Sequence, residues 1–135
     1  MEPITLTRTG QPPLDFTGEL VAESDGRFAG DREQNRWHVL RLYKTQGGQY
    51  VLDITYRTNW VGEVSHYWAE IVEPNPDYLT TLLAGIDPCE HLAGFPDRPE
   101  LAHRQAKLET WLRRRFETQV SELIAQVPDL HEKID

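Results

Sequence analysis

The sequence has little of what builds cross-links or membrane spans. Cys89 is the single cysteine in 135 residues, so an intramolecular disulfide has no second thiol, and this favours a reducing compartment. No run of apolar residues approaches the roughly 20 that a membrane-spanning helix needs. The first residues do not pair a basic patch with an apolar run, so we expect no signal peptide. These absences predict a cytoplasmic protein without a membrane contact.

Basic residues are also scarce. The chain has 14 Lys and Arg against 22 Asp and Glu, a net charge of −8. This balance argues against nucleic acid as a partner, because phosphate backbones call for a basic surface. The charge either keeps the protein soluble or forms an acidic surface that docks on a basic protein. The common motifs for nucleotides, zinc, calcium and nucleophilic serine are absent as well, so we predict no cofactor, no metal and no catalytic residue.

What the sequence does contain is an aromatic segment over residues 36–72, with three of the four tryptophans and four of the five tyrosines. Its branched and aromatic residues predict three antiparallel strands over 36–45, 49–58 and 63–72. Alternation over 16–23 predicts an earlier strand. The four strands follow one another, which is typical of a meander.

Proline, glycine and asparagine mark the remaining elements. Asn75 before Pro76 predicts the start of a short helix over Pro76–Ala84, and Gly85 predicts its end. Apolar residues at three- and four-residue spacing predict a long helix that starts near residue 97 and ends at 127, with one apolar stripe.

The sequence therefore predicts a single α+β domain over residues 1–135. Its fold is a four-stranded antiparallel meander followed by a short helix and a long C-terminal helix packed on one sheet face. Residues 1–13 are expected to form a flexible arm, and residues 129–135 a loose tail.

The two faces of the predicted sheet depend on the turns. A two-residue turn at Gly47 and Gly48 pairs Tyr43 with Leu52 and makes the tyrosine-rich face the core. A four-residue turn over 59–62 then leaves an apolar band on the second face. The candidates for binding a partner are this band, its border and the hairpin tip: Trp60, Trp68, Leu40, Leu42, Val64 and Arg57. The simplest alternative is that the short helix and the loop after it cover the band, and a second copy of the chain is another.

A polar cluster borders the same band: His38, His66, Asp53 and Glu70. Two histidines with a carboxylate can bind zinc or act as acid and base. The predicted pairing does not place the two imidazoles opposite each other, and no HxxxH or HExxH spacing occurs. Surface or packing histidines are the simpler interpretation. Residues 87–91, which include Cys89 and His91, are interpreted as a capped turn with a partly buried thiol.

Arg113, Arg114 and Arg115 form the basic run of the chain. Glu109 and Glu117 lie four residues to either side of Arg113 and can pair with it, so the run is interpreted as a solvated helix face. A nucleic-acid contact through these arginines is a second alternative.

From these features we expect a small, acidic, non-catalytic module that binds or regulates another protein, of the inhibitor, immunity or accessory-subunit type. The alternative is a small enzyme or ligand-binding protein that uses the polar cluster on the same sheet face.

Overall fold

The computed structural model describes residues 1–27, 35–92 and 99–127. A short 3-10 turn over Pro99–Leu101 leads into the second helix. The predicted tail at 129–135 lies outside the described residues. The elements in chain order confirm the α+β class: β1 (Glu2–Arg8), β2 (Gln11–Asp25), β3 (Arg36–Thr45), β4 (Tyr50–Thr58), β5 (His66–Val72), α1 (Pro76–Ala84) and α2 (Ala102–Ala125).

The five strands form one antiparallel sheet in chain order that curls into a half-barrel. The prediction of four strands is wrong, because the segment expected to be a flexible arm supplies β1 and the start of β2. A register shift between Leu20 and Ala22 adds a bulge to β2, and a bulge bends its strand. The curl brings the β1–β2 turn to β5, where the backbone N–H of Thr9 donates to the carbonyl oxygen of Tyr67 at 2.8 Å.

The turn between β3 and β4 shifts the register by one residue from the prediction. Gly48 takes a φ of +84° at the end of the loop 46–48, a conformation that glycine adopts without strain. A three-residue loop of this kind replaces the predicted two-residue turn. Tyr43 consequently lies opposite Val51. This shift of one residue brings together, on the helix side of the sheet, side chains of the two strands that the predicted pairing puts on opposite faces.

The fourth and fifth strands are also paired one residue away from the prediction. His66 lies opposite Tyr56, and Trp68 lies opposite Ile54. Trp68 therefore packs against the core on the helix side of the sheet. The prediction that Trp68 lies on the face opposite the long helix is wrong, whereas the alternative that the short helix covers the band of Leu40 and Leu42 is confirmed.

Each face of the sheet covers a core. The cluster on the helix side contains Ala22, Leu40, Leu42, Tyr50, Leu52, Ile54, Val72, Leu79, Leu83, Phe116, Leu123 and Val127. The cluster on the other face is smaller and contains Leu6, Tyr43, Val51 and Ala69. Because side chains of the β1–β2 hairpin pack on this second cluster, the prediction of a single buried sheet face is wrong.

The first helix has the predicted bounds and the predicted cap. The side-chain oxygen of Asn75 accepts hydrogen bonds from the backbone N–H groups of Asp77 at 2.8 Å and Tyr78 at 3.1 Å. This satisfies two donors that the first turn leaves unpaired. Leu79 and Leu83, one turn apart, then enter the core, so α1 lies on the sheet along one apolar edge.

One polar residue interrupts the apolar stripe of the second helix. Gln119 is fully buried, and its Nε2 donates to the carbonyl oxygens of Ser24 at 2.9 Å and His38 at 2.8 Å. These bonds fix α2 across β2 and β3. Neither α-helix in the described ranges combines the length and apolar character needed to cross a membrane.

Candidate functional site: a histidine-lined cavity

A cavity of about 750 Å³ lies between the sheet, α1 and the turn that follows α1. Its volume is in the range of sites for small organic molecules. Its walls include three imidazoles, those of His38, His66 and His91, together with Tyr56 and Trp68. The cavity is therefore a place in the described structure where several groups able to form hydrogen bonds converge on one concave space that opens to solvent.

Strand register builds one wall of the cavity. His38 on β3 lies opposite Tyr56 on β4, and Tyr56 lies opposite His66 on β5. Directly opposite residues share a face, so these three side chains form a row across three neighbouring strands. The row lies on the helix side, because Ile54 and Trp68, two residues along each strand, are in the helix-side core.

The turn after α1 supplies the facing imidazole. The Asp87 carboxylate accepts from the backbone N–H of Cys89 at 2.9 Å and from Arg113 Nη1 at 2.8 Å. These bonds fix the turn to α2. His91, two residues beyond the buried Cys89, then reaches β5.

The four rings contact one another in sequence. His66 and His91 are stacked, with ring centroids 3.6 Å apart and planes 10° from parallel. The His91 and Tyr56 centroids are 5.9 Å apart, and those of Tyr56 and His38 are 5.2 Å apart. His38 also meets Phe116 of α2 edge to face, at 5.2 Å. The chain of rings runs from β5 to α2.

Burial favours the neutral forms of His38 and His91 in this cavity. Burial, and then the charge of His91, lower the pKa of His38 from 6.5 to about 4. Burial, and then the charge of His66, also lower the pKa of His91, while Glu90 acts in the opposite direction. Among the described residues, no group hydrogen-bonds to the ring nitrogens of these three histidines. Each neutral ring therefore offers a bound molecule one donor and one acceptor.

A buried ionic network joins the cavity to the β4–β5 loop. The Tyr56 hydroxyl donates to Glu63 Oε1 at 2.6 Å, and burial, followed by this carboxylate, raises the pKa of Tyr56. Arg36 donates to Glu63 Oε2 through Nη2 at 2.6 Å and Nε at 2.9 Å. The Arg36 guanidinium in turn lies 4.5 Å from the ring centre of Trp60. The network fixes Trp60 relative to the cavity wall.

The structure separates the polar cluster that the sequence suggested. His38 and His66 line the cavity. Asp53 lies opposite Arg41 on β3 and Ala69 on β5, and these residues belong to the other face of the sheet. Burial raises the pKa of Asp53 to about 6, although Arg41 and Arg57 oppose the rise. Glu70 lies 3.7 Å from Arg8.

The structure also separates the six residues predicted to bind a partner into buried, partly buried and exposed ones. Leu40 and Leu42 are fully buried under the helices, which excludes them from a surface contact in this conformation. Trp68 is partly buried and lines the cavity, and Arg57 is partly buried with its charge near Asp53. The remaining two, Trp60 and Val64, are exposed on the β4–β5 loop.

Two of the rings that line the cavity, those of Tyr56 and His91, were not predicted as site residues from the sequence. Tyr56 belongs to the tyrosine-rich face that the sequence predicts as core, and His91 to the predicted capped turn. The available signal for His91 was the compact polar sequence of residues 87–91, but the return of this turn to β5 depends on tertiary packing. The signal for Tyr56 was its neighbourhood to His38, which a correct register would have revealed.

The arginine run is partly engaged within the molecule. Arg113 binds Asp87, and Arg115 donates to Glu122 Oε1 at 3.4 Å and to the Asp25 carbonyl oxygen at 3.3 Å. Arg114 lines a smaller concavity of about 350 Å³ whose walls come from α2. Among the described residues, no three His, Cys, Asp or Glu side chains are grouped as a metal site.

Searches with protein-family models, curated proteins and solved structures found no match to this chain.

Proposed function

We propose that this protein binds a small, neutral and mainly apolar organic molecule in the cavity between the sheet and α1. The observation that carries the proposal is the convergence of His38, His66 and His91 on one space of about 750 Å³. Sites for small molecules combine apolar walls with a few convergent polar groups. The role is the ligand-binding alternative drawn from the sequence, with Tyr56 and His91 in place of Asp53 and Glu70.

The lining supports a neutral ligand. Ile54, Trp68 and Leu82 offer apolar surface, and Trp68 suits a flat ring because aromatic groups pack well in offset or edge contact. Asp87 and Glu90 are exposed lining residues, and their charges disfavour an anion. The uncharged imidazoles provide hydrogen bonds to a hydroxyl, carbonyl or ring nitrogen.

Binding accounts for the arrangement better than catalysis. A catalytic imidazole is usually oriented by a carboxylate that holds its second nitrogen. Within the described residues, the lining carboxylate of Asp87 is bonded to Arg113 and to the turn backbone, that of Glu90 is exposed and makes no hydrogen bond to an imidazole, and Asp53 lies on the other face. The proposed role is therefore non-catalytic.

The test is a fragment screen by NMR at pH 8, with neutral probes such as indole, phenol and quinoline. We expect some probes to shift backbone signals of the cavity residues in a saturable way. Thr81→Trp should weaken this binding at least tenfold, since Thr81 is an exposed residue of the lining. Thr80→Trp is the matched control, because Thr80 is exposed on the same helix and outside the lining. Equal binding by both variants, or no saturable shift at all, would refute the proposal.

A second candidate function, contact with another protein, is favoured by the β4–β5 loop. Trp60, Val61 and Val64 are 37%, 94% and 73% exposed, yet the buried pair of Arg36 and Glu63 fixes the loop that carries them. A rigid apolar tip is a common anchor for a partner.

The test of this contact is recovery of partners from the native host with wild-type protein and with Val61→Ser/Val64→Ser. We expect a partner that the double variant loses, and a basic protein is the kind that the net charge of −8 favours. Self-association would appear as a concentration-dependent mass in light scattering. A partner set unchanged by the double variant would exclude the loop as the contact.

A further inference from the structure

We infer that the His66–His91 stack is a proton-operated latch of the cavity: the neutral pair holds the turn after α1 against β5, and protonation of both rings releases it. The inference rests on the proposed ligand site for its biological purpose. The latch itself is a property of the ligand-free chain.

The stack is the contact through which the end of this turn meets the sheet edge. His66 is the first residue of β5, and His91 ends the turn at 88–91. The ring planes are 10° from parallel and the centroids 3.6 Å apart. Both rings line the cavity, so separating them would widen the opening between β5 and the turn.

Among the described residues, the other side-chain contacts that attach this turn to α2 lie before His91. Asp87 is bonded to Arg113, and the buried Cys89 Sγ donates to the Glu109 carbonyl oxygen at 3.5 Å. These contacts attach residues 87–89 to α2. Within the described part of the chain, His91 contacts the sheet through the rings of His66 and Tyr56, so Cys89 is the pivot about which we infer that His91 moves.

Protonation changes the stack in two stages. One charged imidazole over a neutral ring remains attractive, as a cation over an aromatic face. Two charged imidazoles at stacking distance repel, so the pair resists the second proton while it is closed. The open form has no such penalty and takes up both protons. Acid therefore favours the open form.

Few negatively charged groups among the residues that the structure describes lie near the stack to balance the charge of two protonated imidazoles. Glu90 favours protonation of His91, but its side chain is exposed. Asp87 is engaged by Arg113, and Glu70 on β5 lies beside Arg8. The Tyr56 phenol from β4 donates to Glu63, and His38 from β3 is buried. The lining residues of α1, Thr81 and Leu82, are uncharged.

The experiment is a pH titration of ligand-free protein from pH 8 to 4.5, followed by the imidazole C–H signals, the Trp68 indole N–H signal and amide exchange over residues 87–92. We expect one shared transition on acidification, with an open-to-closed ratio that changes by up to about tenfold per pH unit, because the closed pair already accepts the first proton and opening is linked to the second. Exchange over 90–92 should rise with it.

Two variants test the assignment. His91→Phe and, reciprocally, His66→Phe keep an aromatic ring but remove one charge, so each should abolish the shared transition. His103→Gln is the control, because His103 is exposed on α2 away from the cavity, and it should leave the transition unchanged. Far-ultraviolet circular dichroism should stay native throughout.

Three results would overturn the latch: titration of the two rings without a rise in amide exchange over residues 90–92, persistence of the transition in both phenylalanine variants, or loss of circular dichroism at the same midpoint. Because no ligand is present, these results are separate from the fragment screen at pH 8. A working latch without fragment binding would refute the proposed function alone, and the converse would refute the latch alone.

Discussion

Arg36 and Glu63 form an ion pair with Nη2 and Oε2 2.6 Å apart, and their side chains are 5% and 1% exposed. The carboxylate also accepts from the hydroxyls of Tyr56 at 2.6 Å and Thr58 at 3.1 Å. Buried charges are tolerated when their hydrogen bonds are satisfied. This pair connects the start of β3 to the β4–β5 loop, and so positions both the cavity wall and the exposed tip at Trp60.

Glu63→Gln should destabilise the protein strongly. The amide has nearly the same shape but leaves the Arg36 charge buried without a counter-ion, and breaking a buried pair in this way costs about 3–5 kcal/mol. Urea unfolding would measure the change. Glu23→Gln is the control, because the Arg41–Glu23 pair has a similar length of 2.8 Å but side chains 31% and 39% exposed. That change should cost about 1 kcal/mol or less. If Glu63→Gln and Glu23→Gln lowered the free energy of unfolding equally, burial would not make the Arg36–Glu63 pair more important for stability than an exposed pair.

A second pair of variants tests how α2 is attached to the sheet. Gln119 and Gln126 both donate to backbone carbonyls of β2, to Ser24 and Glu23 respectively, but Gln119 is buried and Gln126 is exposed. Gln119→Leu removes two buried hydrogen bonds and should cost about 1–3 kcal/mol. Gln126→Leu should cost less than about 1 kcal/mol, since water replaces the lost bonds. Thermal or urea unfolding of the two variants compares them, and a larger loss for Gln126→Leu would contradict the role assigned to Gln119.

The sequence predicted the elements of this fold better than their pairing. Local signals were sufficient for α1, where Asn75, Pro76 and Gly85 mark both ends, and for β3, whose bounds agree with the prediction. The register failed at Gly48, because two- and three-residue loops share the same glycine signal and differ by one position. Each one-residue shift inverts a strand relative to its neighbour, so the band containing Leu40 and Leu42 lies under both helices instead of on the face opposite the long helix.

The prediction of the candidate site was incomplete because of the same error in strand register and for one further reason. His38 and His66 were identified, but the predicted register placed Asp53 with them and Tyr56 away from them. His91 joins the site from a turn whose position depends on the bond between Asp87 and Arg113 and on the burial of Cys89. Contacts between residues so far apart in the chain leave no periodic signal in one sequence.

The buried His38 should make stability depend on pH. Its pKa falls from 6.5 in the unfolded chain to about 4 in the fold, through burial and then the charge of His91. Between these values the unfolded chain binds the extra proton, so the free energy of unfolding decreases as pH falls from 6.5 to 4 and levels off below. At about 1.4 kcal/mol per pKa unit, the upper limit of the loss is about 3 kcal/mol.

The measurement is urea unfolding at several pH values for wild type, His38→Phe and the control His103→Gln. The difference between wild type and His38→Phe is the correct readout, because Asp53 titrates in the same range with the opposite sign. Its pKa is raised to about 6, chiefly by burial, so it stabilises the fold as pH falls from 6 to 3.8. A difference between wild type and His38→Phe that is independent of pH would contradict a buried, neutral His38.

The thiol of Cys89 should be protected from alkylation. Burial is the main cause that raises its pKa from 9.0 to about 11. The charge of Arg113 opposes this rise, and the charges of Asp87 and Glu109 add to it. The thiolate is the reactive form, so at pH 8 a two-unit rise leaves about 100-fold less of it than in an ordinary cysteine. The rate of alkylation by iodoacetamide, followed by mass spectrometry, should therefore be at least about 100-fold below that of Cys89→Ser/Thr80→Cys, which carries one thiol on the exposed face of α1. Urea should make the two rates converge. Comparable rates in the native proteins would show that the turn opens readily at Cys89, which would remove the pivot on which the movement of His91 depends.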